Sequence, residues 1–187
     1  VAMHELDLTQ EAVLEKGGVY IVPLQEEVRL KKNISGAANP KSSTGRLDVF
    51  TRLITDFATK FDRVAEAYRG PLYLEVSPRT FSIIAREGSR LMQLRLRRGN
   101  PPATAVGTRR LHERVGLIRD DNEKPGGVTT SQVSVGIDLR GDPATGVVGY
   151  KAKAHTGLVD VDASGDYDPA EYWDAITANA NRTLILD

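Results

Sequence analysis

The sequence has no cysteine, one tryptophan, two methionines and three histidines, and its formal net charge is zero. Each scarcity closes off some chemistry. Without cysteine there is no disulfide, no thiolate nucleophile and no cysteine-ligated zinc, though this leaves the compartment open. His4, His112 and His155 are too scattered along the chain to form a ligand cluster. Zero net charge argues against a nucleic-acid binder that relies on bulk positive charge. No apolar run is long enough to span a bilayer, and no segment has the layout of a secretory signal. A cytoplasmic protein with no membrane and no nucleic-acid partner is therefore the expectation.

What remains is a globular composition. The 187 residues are 40% apolar and 27% charged, enough for one domain or one and a half. The chain opens on Val1 and closes on the apolar, strand-like run Thr183–Asp187, which reads as an excerpt of a longer polypeptide. Strand patterns are predicted over Gly18–Leu30, Ile34–Ala38, Leu72–Val76, Thr80–Ala85 and Leu91–Leu96. Arg86-Glu87-Gly88-Ser89 is a tight turn between the last two. Leu47–Phe61 is ambiguous between strand and helix. Short strands punctuated by turns predict a mainly β fold, a sandwich or barrel. Composition changes at Gly99-Asn100-Pro101-Pro102, which divides the chain into a β domain over 1–99 and a connecting segment with the start of a second β unit over 100–187. In the second part a short helix is expected at Arg109–Val115, a loop at Arg119–Thr130, and strands at Val133–Leu139 and Val147–Ala152. Helical turns are expected over Tyr167–Ile176, with Asp168-Pro169 as N-cap and first turn.

The densest chemical signal is Lys41-Ser42-Ser43-Thr44-Gly45-Arg46. A point charge, short hydroxyl donors and a planar guanidinium around a turn-permitting glycine compose a phosphate cradle. An ordinary basic turn between strands has the same composition. A P-loop is set aside: Pro40 stands where the glycine before the lysine belongs, the spacing from Gly36 is one residue short, and no strand–loop–helix context follows. A second signal is Glu75, a carboxylate inside the strand pattern Leu72–Val76. It shares a face with Tyr73, opposite Leu72, Leu74 and Val76, and is either a solvated sheet residue or a pocket carboxylate suited to proton transfer. The run from Asp160 to Glu171 has oxygen ligands and a glycine at EF-hand positions, but strand-like Gly157-Leu158-Val159 precedes it instead of a helix. An acidic turn capping a helix fits the same residues. His155 lies in the basic stretch Lys151–Thr156, a solvated strand face or an anion contact.

Taken in order, these segments resemble the deoxycytidine triphosphate deaminase family of the trimeric deoxyuridine triphosphatase superfamily. The resemblance runs from the strands Gly18–Gly36 through Lys41-Ser42-Ser43-Thr44-Gly45-Arg46-Leu47, similar to the family's RSSLARLG motif. It continues through Tyr68-Arg69-Gly70 and Glu75 to Gly88–Leu94, similar to the superfamily's GxRxxQL strand. It covers about residues 14–99, and the remainder resembles a longer bacterial form built from two related halves. It implies a distorted β-barrel or jelly-roll-like fold (the dUTPase-like β-clip), with short helices in the connecting segment. It further implies hydrolytic deamination of dCTP to dUTP and ammonia. In that scheme Glu75 carries the proton, Ser42 and Arg46 position the water and stabilise charge, and Lys41, Ser43 and Asp62 join them in holding substrate. Magnesium would travel on the triphosphate, with no zinc and no dedicated protein metal site. A homo-oligomer, trimeric or a pseudo-trimeric arrangement of β units, is implied as well.

The resemblance has departures. Lys41 replaces an arginine, Arg52 stands where the family usually has a histidine, and an insertion separates Asp62 from its motif position. Pro71 stands directly after Gly70, where the sister triphosphatases carry an acidic residue, and this favours the deaminase. A dUTP diphosphatase or a bifunctional enzyme is the nearest alternative, and a non-catalytic nucleotide-binding or assembly module is the alternative of another class.

Overall fold

The computed structural model describes residues 5–99, 104–120, 122–126 and 139–178. In chain order the elements are β1 (Ala12–Leu14), β2 (Tyr20–Arg29), β3 (Ile34–Pro40), α1 (Ser42–Arg46), β4 (Val49–Thr55), β5 (Arg63–Val64), β6 (Arg69–Pro78), β7 (Ile83–Ala85) and β8 (Met92–Arg98). There follow α2 (Ala105–Val115), β9 (Val147–Ala152), β10 (Val159–Asp160), α3 (Pro169–Tyr172) and β11 (Trp173–Thr177). The fold is mainly β. Among the described residues the strands divide into four small sheets, ordered β1-β7-β10, β2-β6-β4, β5-β3-β8 and β11-β9.

Alternation builds the centre. On β6, Leu72, Leu74 and Val76 are buried while Tyr73 and Glu75 stand on the other face. β4 repeats the pattern, with Val49, Thr51, Leu53 and Thr55 inward and Phe50, Arg52 and Ile54 outward. Pro23 interrupts no ladder that matters, because β2 is an edge strand, and the register shifts between Pro23 and Glu27. The inner side of β2-β6-β4 meets β5-β3-β8 through Leu53, Leu72, Ala38 and Val64, with Leu24, Val28 and Leu94 alongside. A second cluster joins Leu14, Leu74, Val76, Phe81, Ile83 and Leu91 to Val159 and Tyr172. Each fully buried aliphatic or aromatic side chain here contributes roughly 1.5–3 kcal/mol.

Two compact units emerge: Val1–Gly99 with Lys151–Asp174, and Asn100–Tyr150 with Ala175–Asp187. The first unit's leading segment ends at Gly99, where the sequence reading divides the chain, and Lys151–Asp174 returns to pack with it. β10 adds to β7 in parallel, with Val159 opposite Ile83 and Asp160 opposite Ile84. Phe81 sits edge-on to Tyr172 at 5.7 Å and to Trp173 at 5.2 Å. In the second unit, α2 is capped by the Thr104 hydroxyl, which accepts from Gly107 N at 3.0 Å, and ends at Gly116 in the left-handed region.

Three local expectations are corrected. A one-turn helix does follow β3, formed as Lys41 O accepts from Gly45 N and Ser43 O from Leu47 N. The Arg86–Ser89 turn exists, with Ser89 N donating to Arg86 O at 3.0 Å, but it does not close a hairpin, because β7 pairs with β1 and β10 while β8 pairs with β3. Helix stops at Tyr172, and Trp173–Thr177 is strand, as its aromatic and β-branched residues favour. The ambiguous stretch from Leu47 resolves as the strand β4. The strand expected at Val133–Leu139 lies almost wholly outside the described residues, as does part of the loop expected at Arg119–Thr130.

Candidate active site

The Lys41–Arg46 segment is anchored at both ends. Lys41 N donates to Leu91 O at 3.0 Å, which extends the β3–β8 ladder into the turn. Thr44 is buried and pins the turn to the core, leaving Ser42, Ser43 and Arg46 exposed and Lys41 half-buried. Arg46 folds back along the turn, and its Nη2 donates to Ser42 Oγ at 3.0 Å. Asp48, at a φ of 54°, reverses the chain into β4. Its Oδ2 accepts from Thr80 Oγ1 at 2.8 Å, and its carbonyl accepts from Arg79 N at 3.0 Å. The result is two cations and two exposed hydroxyls on a fixed turn, a donor set matched to phosphate oxygens.

Glu75 is half-buried on β6, with Ile21 of β2 opposite it on one side and Arg52 of β4 on the other. Its carboxylate has no hydrogen bond or ion pair to a described residue, so its proton-accepting oxygens are uncommitted. Two positions along the same face, the Ser77 hydroxyl is buried without a hydrogen-bond partner among the described residues. The Arg52 guanidinium lies over the Phe50 ring at 4.5 Å and the Phe61 ring at 4.7 Å.

Among the residues expected to share substrate, the structure joins Ser42 to Arg46 by a hydrogen bond and sets Lys41 and Ser43 on the same turn. Glu75 stands apart from them. Val49, just past the turn, is opposite Pro78, three positions along β6 from Glu75, or about 10 Å at the rise of a strand. Asp62 has a different neighbourhood: at a φ of 59°, its Oδ1 accepts from Leu53 N at 2.8 Å, and its backbone bonds both Leu53 O and Ala38 N. It fastens the loop after β4 to β3 and β4. The Tyr68 hydroxyl donates to Pro71 O at 2.6 Å, and its ring lies against Gly70, where a Cβ would come within 2.9 Å of the phenol oxygen. That contact explains the glycine in Tyr68-Arg69-Gly70.

Sequence reasoning missed two groupings. The Arg52 cage left one trace, an aromatic two positions before an arginine on a strand face. The other joins Arg86 to the acidic run at 160–171. Arg86 Nη2 meets Asp160 Oδ2 at 2.6 Å and Glu11 Oε1 at 3.0 Å, while its Nη1 meets Asp162 Oδ2 at 3.0 Å. Ser89 Oγ donates to Asp162 Oδ2 at 2.6 Å. The hydrogen bond from Arg86, backed by the Asp162 N–H, holds the Asp160 carboxyl below its ordinary value, and Asp160 raises the Arg86 pKa. Both lead carboxylates of the EF-hand-like run are thus spent on arginine, and Asp168 caps α3 by accepting from Ala170 N at 2.9 Å. Among the described residues no group of three metal-ligating side chains occurs. Nor is any of their helices long and apolar enough to cross a membrane. His155 is exposed, and its neighbour Lys153 donates to Ala170 O at 2.6 Å.

A β-rich unit with a basic, hydroxyl-bearing turn and a carboxylate without a partner among the described residues is the class of protein that this fold and site define, and comparison gives it a family. Residues 1–100 match the model of the 2'-deoxycytidine 5'-triphosphate deaminase N-terminal domain, and residues 104–187 match that of its C-terminal domain. The chain belongs to the 2'-deoxycytidine 5'-triphosphate deaminase family. It is similar to the crystal structure of 2'-deoxycytidine 5'-triphosphate deaminase from Agrobacterium tumefaciens, with 46% identity and a TM-score of 0.90. That alignment covers 99% of this chain and 54% of the Agrobacterium chain, so this chain spans about half the length of the solved relative. No curated protein matches.

Proposed function

We propose that this chain serves the hydrolytic deamination of dCTP to dUTP and ammonia. The observation that carries the reading is the uncommitted, half-buried Glu75 at the centre of a family-matched β unit. Water adds through oxygen to C4 of the cytosine ring, and Glu75 takes its proton. Glu75 passes that proton to ring N3, then carries the proton of the new C4 hydroxyl to the amine; the C4–N bond breaks as C4=O forms, and ammonia departs with Glu75 restored as carboxylate. Ser42 and Arg46, already hydrogen-bonded to each other, orient the water and stabilise developing charge. Lys41 and Ser43 hold phosphate oxygens, and Asp62 keeps Oδ2 for a substrate hydroxyl while Oδ1 braces the loop. Magnesium enters as part of the nucleotide. The chain has no cysteine, so the thiolate ligands of zinc deaminases are absent, and glutamate activates the water unaided by zinc.

The distance along β6 between Glu75 and the Lys41–Arg46 turn supports a homo-oligomer, trimeric or pseudo-trimeric, in which β units of neighbouring copies complete each site. A cytoplasmic setting follows from the nucleotide substrate. The test is ion-pair chromatography of the full-length protein incubated with dCTP and magnesium. Formation of dUTP with stoichiometric ammonia supports the deaminase, and dUMP from dCTP makes the enzyme bifunctional. Unchanged dCTP with dUTP converted to dUMP moves the assignment to a diphosphatase. Binding without turnover of either nucleotide moves it to a nucleotide-binding module.

A further inference from the structure

Arg52 occupies a position that packing alone does not explain. It stands on the outer face of the β2-β6-β4 sheet, directly opposite Glu75. Phe50, two residues back on the same strand face, covers one part of its guanidinium, and Phe61 covers another. Phe61 is set by the loop that Asp62 fastens to Leu53. Two rings fix the plane of the guanidinium and engage its charge through their faces, which leaves the in-plane N–H donors unspent. Among the described residues Arg52 has no ion pair and no hydrogen-bonded side-chain acceptor. A half-buried cation with its orientation fixed and its donors open is set to receive an acceptor from outside the chain.

The position selects which acceptor. Phosphate donors are grouped on the Lys41–Arg46 turn, whereas Arg52 stands beside Glu75 at the middle of the β4–β6 ladder. The group within reach of Glu75 must be the reacting ring, and Arg52 is its cross-strand neighbour. A cytosine ring carries an oxo acceptor at C2, two ring positions from the reacting C4. We propose that Arg52 is a specificity-determining residue that donates to the ring oxo group of the pyrimidine presented to Glu75. The proposal rests on the deaminase reading and adds the residue that recognises the base.

The test uses the full-length protein carrying Glu75→Gln, so that ligand binds without turning over. Calorimetric titrations are run with magnesium dCTP and, separately, with inorganic triphosphate. Adding Arg52→Gln is expected to weaken dCTP about tenfold or more while leaving inorganic triphosphate unchanged. Arg52→Lys restores part of the loss, and Phe61→Leu, which keeps the charge but frees its plane, gives an intermediate weakening of dCTP alone. In the otherwise native enzyme Arg52→Gln raises KM for dCTP more than it lowers kcat. Equal weakening of dCTP and inorganic triphosphate would overturn the proposal in favour of a phosphate contact, and unchanged binding of both would reduce Arg52 to packing. If Arg52→Gln fails to fold by circular dichroism, Phe61→Leu decides between these outcomes. Turnover of dCTP by the parent with normal binding in Arg52→Gln defeats this inference alone. A parent that neither binds nor converts dCTP defeats the deaminase reading and this inference with it.

Discussion

At the scale of single residues, the proposed site turns on Glu75, whose carboxylate has no ion pair or hydrogen bond among the described residues. Glu75→Gln keeps the shape and one acceptor oxygen but cannot carry a proton. The expected result is a fall in kcat of about 10²–10⁴ with dCTP affinity nearly unchanged, read by steady-state kinetics and calorimetry. Retention of more than about 1% of the rate would remove Glu75 from the proton-transfer role. Arg46→Ala strips the turn of its planar donor and frees Ser42 Oγ. Weaker triphosphate binding and slower turnover are expected together, and unchanged kinetics would end the phosphate-cradle assignment. Glu75 was legible in the sequence because Leu72, Leu74 and Val76 declare the buried face and leave a carboxylate on the other. The Arg52 cage was not, because Phe61 reaches Arg52 only through a loop held by a left-handed Asp62, and no local pattern encodes that return.

At the scale of elements, most strands followed from alternation, and the misses fall where tertiary packing overrode the local signal. Turn chemistry fixes where the chain bends but not which strand it then meets. Gly88, at a φ of 86°, makes the Arg86–Ser89 turn, yet burial of Leu91 and its bond to Lys41 N draw the outgoing chain to β3. The helix α1 escaped notice because Ser-Ser-Thr-Gly-Arg has little helical preference, and its single turn is imposed by Thr44 burial. The Tyr167–Ile176 stretch carries a sound N-cap but turns to strand where Tyr172 and Trp173 close over Phe81. Phe81 is 1% exposed and joins β7 to this segment. Phe81→Ala should cost about 3–5 kcal/mol, measured by urea unfolding, with the aromatic circular dichroism of Trp173 reduced. A loss under about 1 kcal/mol would mean that Tyr172 and Trp173 repack without it.

At the scale of the molecule, the first β unit draws part of its core from beyond residue 150. A fragment ending at Gly99 keeps Phe81 and Ile83 but lacks β10, Tyr172 and Trp173. It is expected to elute as aggregate or to unfold without cooperativity, whereas a version that includes residues 151–174 does neither, as size-exclusion chromatography and denaturant titration would show. The same junction carries a pH signature. Arg86 lowers the folded-state pKa of Asp160, so the pair's stabilisation is present in full above the ordinary carboxylate value of 3.8 and is lost as pH falls through the lower folded value. Asp160→Asn should be less stable than the parent at pH 7, with the gap narrowing as pH falls below about 4 in urea titrations. A gap independent of pH would place the contribution in packing.

Arg86 and Asp160 are 74 positions apart, and β10 closes on β7 across the same interval. On a ribosome adding roughly 5–20 residues per second, that interval is about 4–15 s of synthesis. Throughout it, one edge of β7 and the ring of Phe81 wait without their partners. The nascent chain therefore passes through an obligatory period with an open strand edge and bare aromatic surface, when chaperone capture and mispairing compete with folding. Slowing translation over residues 100–158 lengthens that period without altering the finished protein.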